Sequence, residues 1–128
     1  MKNRVTGLGG IFFKTKDPNK TRDWYKTHLG LNTDQYGSTF WWKDKEGNDC
    51  STQWSPMAED SNYFKPSESK FMMNFRVENL VELLEALKEE GVTIVGEMEE
   101  YDYGKFGWIL DPDGNKLELW EPIDKAFL

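Results

Sequence analysis

Histidine and cysteine are almost missing from this chain, which holds one of each, His28 and Cys50. A single thiol cannot close an internal disulfide, so the fold must be held by burial and backbone pairing. Nothing in the sequence brings Cys50 and His28 together, and a small hydrophobic Cys with a surface His fits better than a nucleophile and its base. Long apolar runs are missing as well. No stretch reaches about 18 uncharged apolar residues, and residues 1–10 lack the apolar centre of a signal peptide, so a cytoplasmic protein without a membrane segment is expected. Basic charge is also scarce: 16 Lys and Arg stand against 23 Asp and Glu, for a net charge of −7 and a pI of about 4.8. That balance argues against nucleic-acid and anionic-membrane partners, both of which are bound chiefly through cationic side chains. The acidity is concentrated in the second half, where residues 70–128 carry 6 basic and 14 acidic side chains. Much of it reads as a solvated face.

What the chain has in abundance is aromatic residues: six Trp, eight Phe and five Tyr among 128 residues. Such a load suits a folded domain, as core or as the lining of a cavity. The length supports one core, so an internal duplication would use units of about 60 residues.

Such a duplication is legible. Leu8 to Lys14 and Phe71 to Val77 alternate as strands, and each is followed by a helix start. Asp17 caps the first with Pro18 behind it; Asn79, with Glu82 three residues on, caps the second. Leu80, Leu83, Leu84 and Leu87 give the second helix its apolar stripe, and Trp24, Tyr25, His28 and Leu29 form the expected buried side of the first. Gly30 and Gly91 end the two helices. Short strands follow, broken by Asp44-Lys45-Glu46-Gly47 in one half and Asp111-Pro112-Asp113-Gly114 in the other. Trp54-Ser55-Pro56 then answers Trp120-Glu121-Pro122. The expectation is an α+β fold of two tandem βαβββ modules. Module one spans about residues 5–56, a linker 57–69 and module two about 70–122.

Asp17, the run Trp24 to Leu31, and above all Leu110-Asp111-Pro112-Asp113-Gly114-Asn115-Lys116-Leu117-Glu118-Leu119 resemble the vicinal oxygen chelate superfamily of glyoxalases, bleomycin-resistance proteins and extradiol dioxygenases. The resemblance implies curled mixed sheets around a cup with the helices outside, and in metal-using members each module offers ligands from its first and last strands to a divalent ion in that cup. Here those positions fall on Gly10, Thr52, Met72 and Glu118, with Gln53 replacing Thr52 if the strand is shifted by one. Only Glu118 is a good ligand, and a tight transition-metal site takes three or four. No cofactor is therefore expected, a divalent metal being the alternative.

Strand alternation then gives a cup lined by Phe12, Lys14, Trp54, Met72, Asn74, Arg76, Glu118 and Trp120. Without a metal, a buried Glu118 needs a partner, for which Arg76 and Lys14 are the candidates. The carboxylate is then a general base, an anchor for a ligand's hydroxyl or amine, or half of an internal salt bridge. Trp54 and Trp120 either sandwich a planar or cationic ligand or pack the barrel ends. Tyr101, Tyr103 and Lys105 lie in a segment that either covers the cup or merely connects strands. The functional expectation is a protein that binds a small aromatic or cationic molecule without the usual metal. Its alternative is a glyoxalase-like lyase or isomerase, or a dioxygenase-type enzyme, with Glu118 as acid/base residue or residual ligand. A homodimer is expected from the resemblance and from the sheet edges that short modules leave open.

Overall fold

In the computed structural model, which describes residues 4–128, each half of the chain runs strand, helix, three strands. Module one comprises β1 (Val5–Thr15), α1 (Pro18–Leu29), β2 (Thr33–Asp34), β3 (Gly37–Lys43) and β4 (Asp49–Ala58). Module two comprises β5 (Phe71–Val77), α2 (Leu80–Glu89), β6 (Glu99–Tyr101), β7 (Gly104–Leu110) and β8 (Lys116–Pro122), and a short 3-10 turn at Asp124–Phe127 follows it. The strands form one mixed sheet in the order β2-β3-β4-β1-β5-β8-β7-β6, the same arrangement read outward from the centre in both directions. Within each module the first and last strands are parallel, and the modules join through the antiparallel β1–β5 pair. The two copies therefore pair edge to edge within this chain, and the fold is the α+β duplication that the sequence predicts. Among the described residues no helix is long and apolar enough to cross a membrane.

Local chemistry accounts for the repeated turns. Asp44 accepts hydrogen bonds from the backbone N–H groups of Glu46 (3.0 Å) and Asn48 (2.9 Å). Asp111 does the same for Asp113 and Asn115, both at 2.9 Å. In each loop the Asn side chain also donates to its Asp, and Gly47 and Gly114 take φ of 83° and 82°. That left-handed conformation is where Gly is favoured. Both helices begin as the caps predict, with Asp17 accepting from Lys20 N and Asn79 from Glu82 N, each at 3.2 Å.

The helices differ in how they pack. α2 buries Leu80 and Leu83 against Val77, Ile109 and Leu119, with Leu84 and Leu87 alongside, so its leucine stripe faces the sheet. No residue of α1 is buried. Trp24 is 54% and Leu29 59% exposed, contrary to the face expected from their spacing. Of that face only Tyr25 reaches inward, its ring 4.6 Å from that of Trp54. The stripe on α1 has too few aliphatic residues for the helix to seat deeply. Its aromatic side chains lie along the surface instead, Trp24 packing on Tyr25 and His28 at 5.3 and 4.9 Å. Ile11, on the outward face of β1, stays 38% exposed.

Register decides which side chains enter the cup. Gly10 pairs with Gln53 in the β1–β4 ladder, Asn74 with Glu118 in the β5–β8 ladder, and Gly10 faces Asn74 across the β1–β5 junction. Gln53, and not Thr52, is thus the module-one counterpart of Glu118. The match of Trp54-Ser55-Pro56 to Trp120-Glu121-Pro122 is one residue out of register, and a one-residue slip moves a side chain to the other face of a sheet. Trp54 accordingly packs outward against Phe13 and Tyr25, while Trp120 is buried on the inner side.

Candidate ligand-binding site

A cavity of about 970 Å³ opens between the curled halves of the sheet. Phe12, Tyr36, Tyr63, Tyr101, Tyr103, Phe106, Trp108, Trp120 and Phe127 contribute aromatic surface to it. Gly9, Gln53, Asn74 and Glu118 are among the other residues that line it. Gly9, Asn74, Trp108, Glu118 and Trp120 are buried and form the floor, whereas Asp34, Tyr36, Glu99, Tyr101 and Tyr103 are exposed and form the rim.

Glu118 is 2% exposed and lies at the centre of a three-strand row. β8 pairs it with Asn74 of β5 on one side and with Trp108 of β7 on the other, so alternation turns all three side chains to the same face. Asn74 Nδ2 donates to Glu118 Oε1 at 2.6 Å, and Trp108 Nε1 to Oε2 at 2.9 Å. The Tyr63 hydroxyl also donates to Oε2. It comes from the crossover between modules, residues 59–70, a stretch that reads in sequence as a mere connection. The crossover is in fact part of the core, since Phe64 is fully buried against Met72 and Trp108.

Burial pushes the Glu118 carboxyl above its ordinary value, although the donors Tyr63, Asn74 and Trp108 and the nearby Lys116 ammonium pull it down. Lys116 stands behind the floor, its Nζ donating to the Tyr63 carbonyl at 2.7 Å and lying 5.2 and 5.5 Å from the Tyr63 and Trp108 ring centres. Its own pKa is lowered by burial. Burial and the adjacent carboxylate push the Tyr63 hydroxyl well above the phenol range, so it keeps its proton and acts as a donor.

Of the residues expected in the cup, Phe12, Asn74, Glu118 and Trp120 line it, and Lys14, Trp54, Met72 and Arg76 do not. Neither expected partner serves Glu118. Arg76 is held by Asp124 through two hydrogen bonds of 2.7 and 2.6 Å, and its guanidinium lies 5.4 and 5.3 Å from the Trp42 and Trp120 ring centres. Ser51 completes that cluster, donating from N and Oγ to Asp124 at 3.0 and 2.8 Å. Lys14 lies over Phe64, 5.4 Å from its ring centre. Met72 is sealed beneath Phe64, fully buried in the core. Tyr101 and Tyr103 do line the cavity, their rings stacked at 5.2 Å. Lys105 turns outward, 3.8 Å from Glu121.

Gly9 and Gly10 are explained by packing. A Cβ on Gly9 would fall 2.0 Å from Asn74 Oδ1 and 3.1 Å from the Trp120 ring. Asn74 Oδ1 is also the one buried side-chain polar atom among the described residues that lacks a hydrogen-bond partner.

These residues do not fit a divalent cation. The Tyr63 phenol, the Asn74 amide N–H and the Trp108 indole present hydrogens to the Glu118 carboxylate, and the one spare acceptor, Asn74 Oδ1, is packed against Gly9, whereas a metal needs several converging lone pairs. Gly10 has no ligating atom. Thr52 is engaged with the Leu8 carbonyl at 2.6 Å and the Trp42 indole at 2.8 Å. Gln53 Oε1 already accepts from the Thr39 hydroxyl at 2.8 Å. Among the described residues no three His, Cys, Asp or Glu side chains converge.

Residues 7–119 match the family model of the Glyoxalase/Bleomycin resistance protein/Dioxygenase superfamily, and the chain belongs to that superfamily. No curated protein matches it in sequence. Among solved structures, a methylmalonyl-CoA epimerase from Mycobacterium tuberculosis is similar at 24% identity and a TM-score of 0.62, over 99% of this chain and 95% of that one. A superfamily member from Vibrio splendidus 12B01 aligns at 14% identity and a TM-score of 0.58, over 89% and 98%. A protein described as an NAD-dependent benzaldehyde dehydrogenase from Legionella pneumophila aligns at 18% and 0.59, over 89% and 98%. At such identities the likeness is one of fold.

Proposed function

We propose that this protein binds a small organic molecule in the cavity between its two modules without a metal, with Glu118 as the polar anchor on the floor. The observation that carries the reading is a cavity of about 970 Å³ with aromatic walls and one buried carboxylate ringed by N–H and O–H donors. Ligand sites are characteristically apolar concavities with a few well-placed polar groups. Thermal-shift screening of small aromatic compounds should give stabilising ligands whose effect survives EDTA and is lost when Ser55→Trp fills the cavity. Near-stoichiometric transition metal in untagged protein, with chelator abolishing ligand binding, would overturn the reading.

A glyoxalase-like lyase or isomerase is the second reading. It is favoured by the burial of Glu118 on the cavity floor, which displaces its carboxyl upward, a perturbation common to proton-transferring sites. Turnover of a carbonyl substrate that disappears in a folded Glu118→Gln variant would support it. A substrate anchored by its own anionic groups suits this cavity poorly, because no Lys, Arg or His lines it.

We also propose a homodimer in solution. Ile11 and Phe71 leave apolar surface exposed on the β1–β5 seam, and the edge strands β2 and β6 are unpaired on one side. Light scattering should give about twice the chain mass of 15.0 kDa, and a value at 15.0 kDa would reject the dimer.

A further inference from the structure

We infer that the molecule taken up by this cavity is a protonated amine carrying at least one N–H on an apolar, aromatic-sized body. The inference rests on the cavity being a ligand site, as proposed above, and adds the chemical class. Three observations carry it. The lining has a carboxylate at the floor, Glu118, and two at the rim, Asp34 and Glu99, and no cationic side chain lines the cavity, Lys116 lying behind the floor. Glu99 already accepts from the Tyr101 hydroxyl, which fixes it beside the aromatic wall. Secondly, that wall is continuous. Tyr101 and Tyr103 stack at 5.2 Å, Tyr103 meets Phe127 at 6.1 Å, and Phe106 stacks on Trp120 at 6.0 Å. Ring faces attract cations and accommodate flat apolar bodies equally well.

The third observation is Asn74. It is 2% exposed and forms part of the floor, and its Oδ1 has no donor. Its orientation is dictated by Glu118, because the amide N–H must face the carboxylate and the oxygen is left over. Asn74 Oδ1 itself has almost no accessible surface, but with Tyr63, Asn74 and Trp108 all donating to Glu118, and Trp120 to the Tyr103 carbonyl, the floor holds acceptors and no free side-chain donor, which suits a ligand that donates hydrogen bonds and carries positive charge. A carboxylate, a phosphate or a neutral ether supplies neither. A quaternary ammonium supplies the charge but no hydrogen.

Heteronuclear NMR of the full chain, titrated with phenethylamine, phenethyl alcohol, phenylpropionate and trimethylphenethylammonium, tests the class. Phenethylamine should shift the indole N–H resonances of Trp108 and Trp120 and bind about tenfold more tightly than the alcohol or the trimethylated ion, a difference typical of one charged hydrogen-bonded contact. Phenylpropionate should bind least. Glu118→Gln should erase the advantage of the amine over the alcohol. Glu99→Gln, an exposed position whose replacement leaves the floor intact, should reduce it in part. Equal or tighter binding by the alcohol, the trimethylated ion or phenylpropionate, with the indoles still shifting, would overturn the amine assignment and leave the cavity as a ligand site. Failure of every fragment to move either indole would overturn both readings.

Discussion

At the scale of single residues, Glu118 illustrates how a fold decides what a carboxylate does. Burial raises its pKa above the ordinary value despite the donors Tyr63, Asn74 and Trp108 and the charge of Lys116. The folded chain therefore holds this proton more tightly than the unfolded chain, and stability falls as pH rises from the ordinary carboxylate range through the folded value. Gln cannot ionise, and the Asn74 amide can turn to meet it. Urea unfolding at about pH 5 and about pH 8 should show Glu118→Gln gaining on the parent toward the higher pH; a gap that stays constant would mean that Glu118 is ionised throughout. Gly9 carries a second residue-level prediction. A methyl group there would overlap Asn74 Oδ1, so Gly9→Ala should cost about 1–3 kcal/mol by forcing the floor apart, visible as a lowered Tm.

At the scale of elements, the two helices are copies in sequence order and unequal in energetics. Leu83 is buried in the α2 core, and Leu83→Ala should destabilise by about 2–5 kcal/mol. Trp24 in α1 is more than half exposed, and Trp24→Ala should cost less than about 1 kcal/mol in the same denaturant titration. Both caps and both Asp-to-Asn turns were readable from sequence because their hydrogen bonds span two to four residues. The depth of α1 was not readable, since it depends on how much apolar surface the sheet offers opposite a short aromatic stripe.

For the molecule as a whole, the pair of buried Arg76 and partly buried Asp124 ties the last turn to the two modules. Arg76 stands on β5, Ser51 on β4, and Asp124 after β8, and all three meet near Trp42 and Trp120. Burial would raise the Asp124 carboxyl, yet hydrogen bonds from Arg76 and Ser51 outweigh it and hold the group below the usual carboxylate range. Its stabilisation is thus present above the ordinary carboxylate pKa and lost as pH falls through the lower folded value. Asp124→Ala strands the guanidinium and should cost about 3–5 kcal/mol in urea unfolding at neutral pH. The deficit should shrink in acid as the parent protonates. Phe127, three residues after Asp124 in the same turn, lines the cavity, so releasing this turn should also weaken ligand binding.

The sequence by itself determined the duplication, the strand and helix order, both helix starts, the twin turns and the placing of Glu118, Asn74, Phe12 and Trp120 on cavity-facing positions. The order, caps and turns follow from spacing along one strand, helix or turn, and the cavity-facing positions from strand alternation counted from the ligand positions that the family resemblance implies. The tertiary structure alone decided that Gln53 answers Glu118, that Trp54 faces away, that Arg76 serves Asp124, and that Tyr63 crosses from the connection to meet the carboxylate. Pairing register between distant strands and the path of an aperiodic crossover depend on contacts far apart in sequence, where a slip of one residue exchanges the two faces of a strand and leaves no local trace.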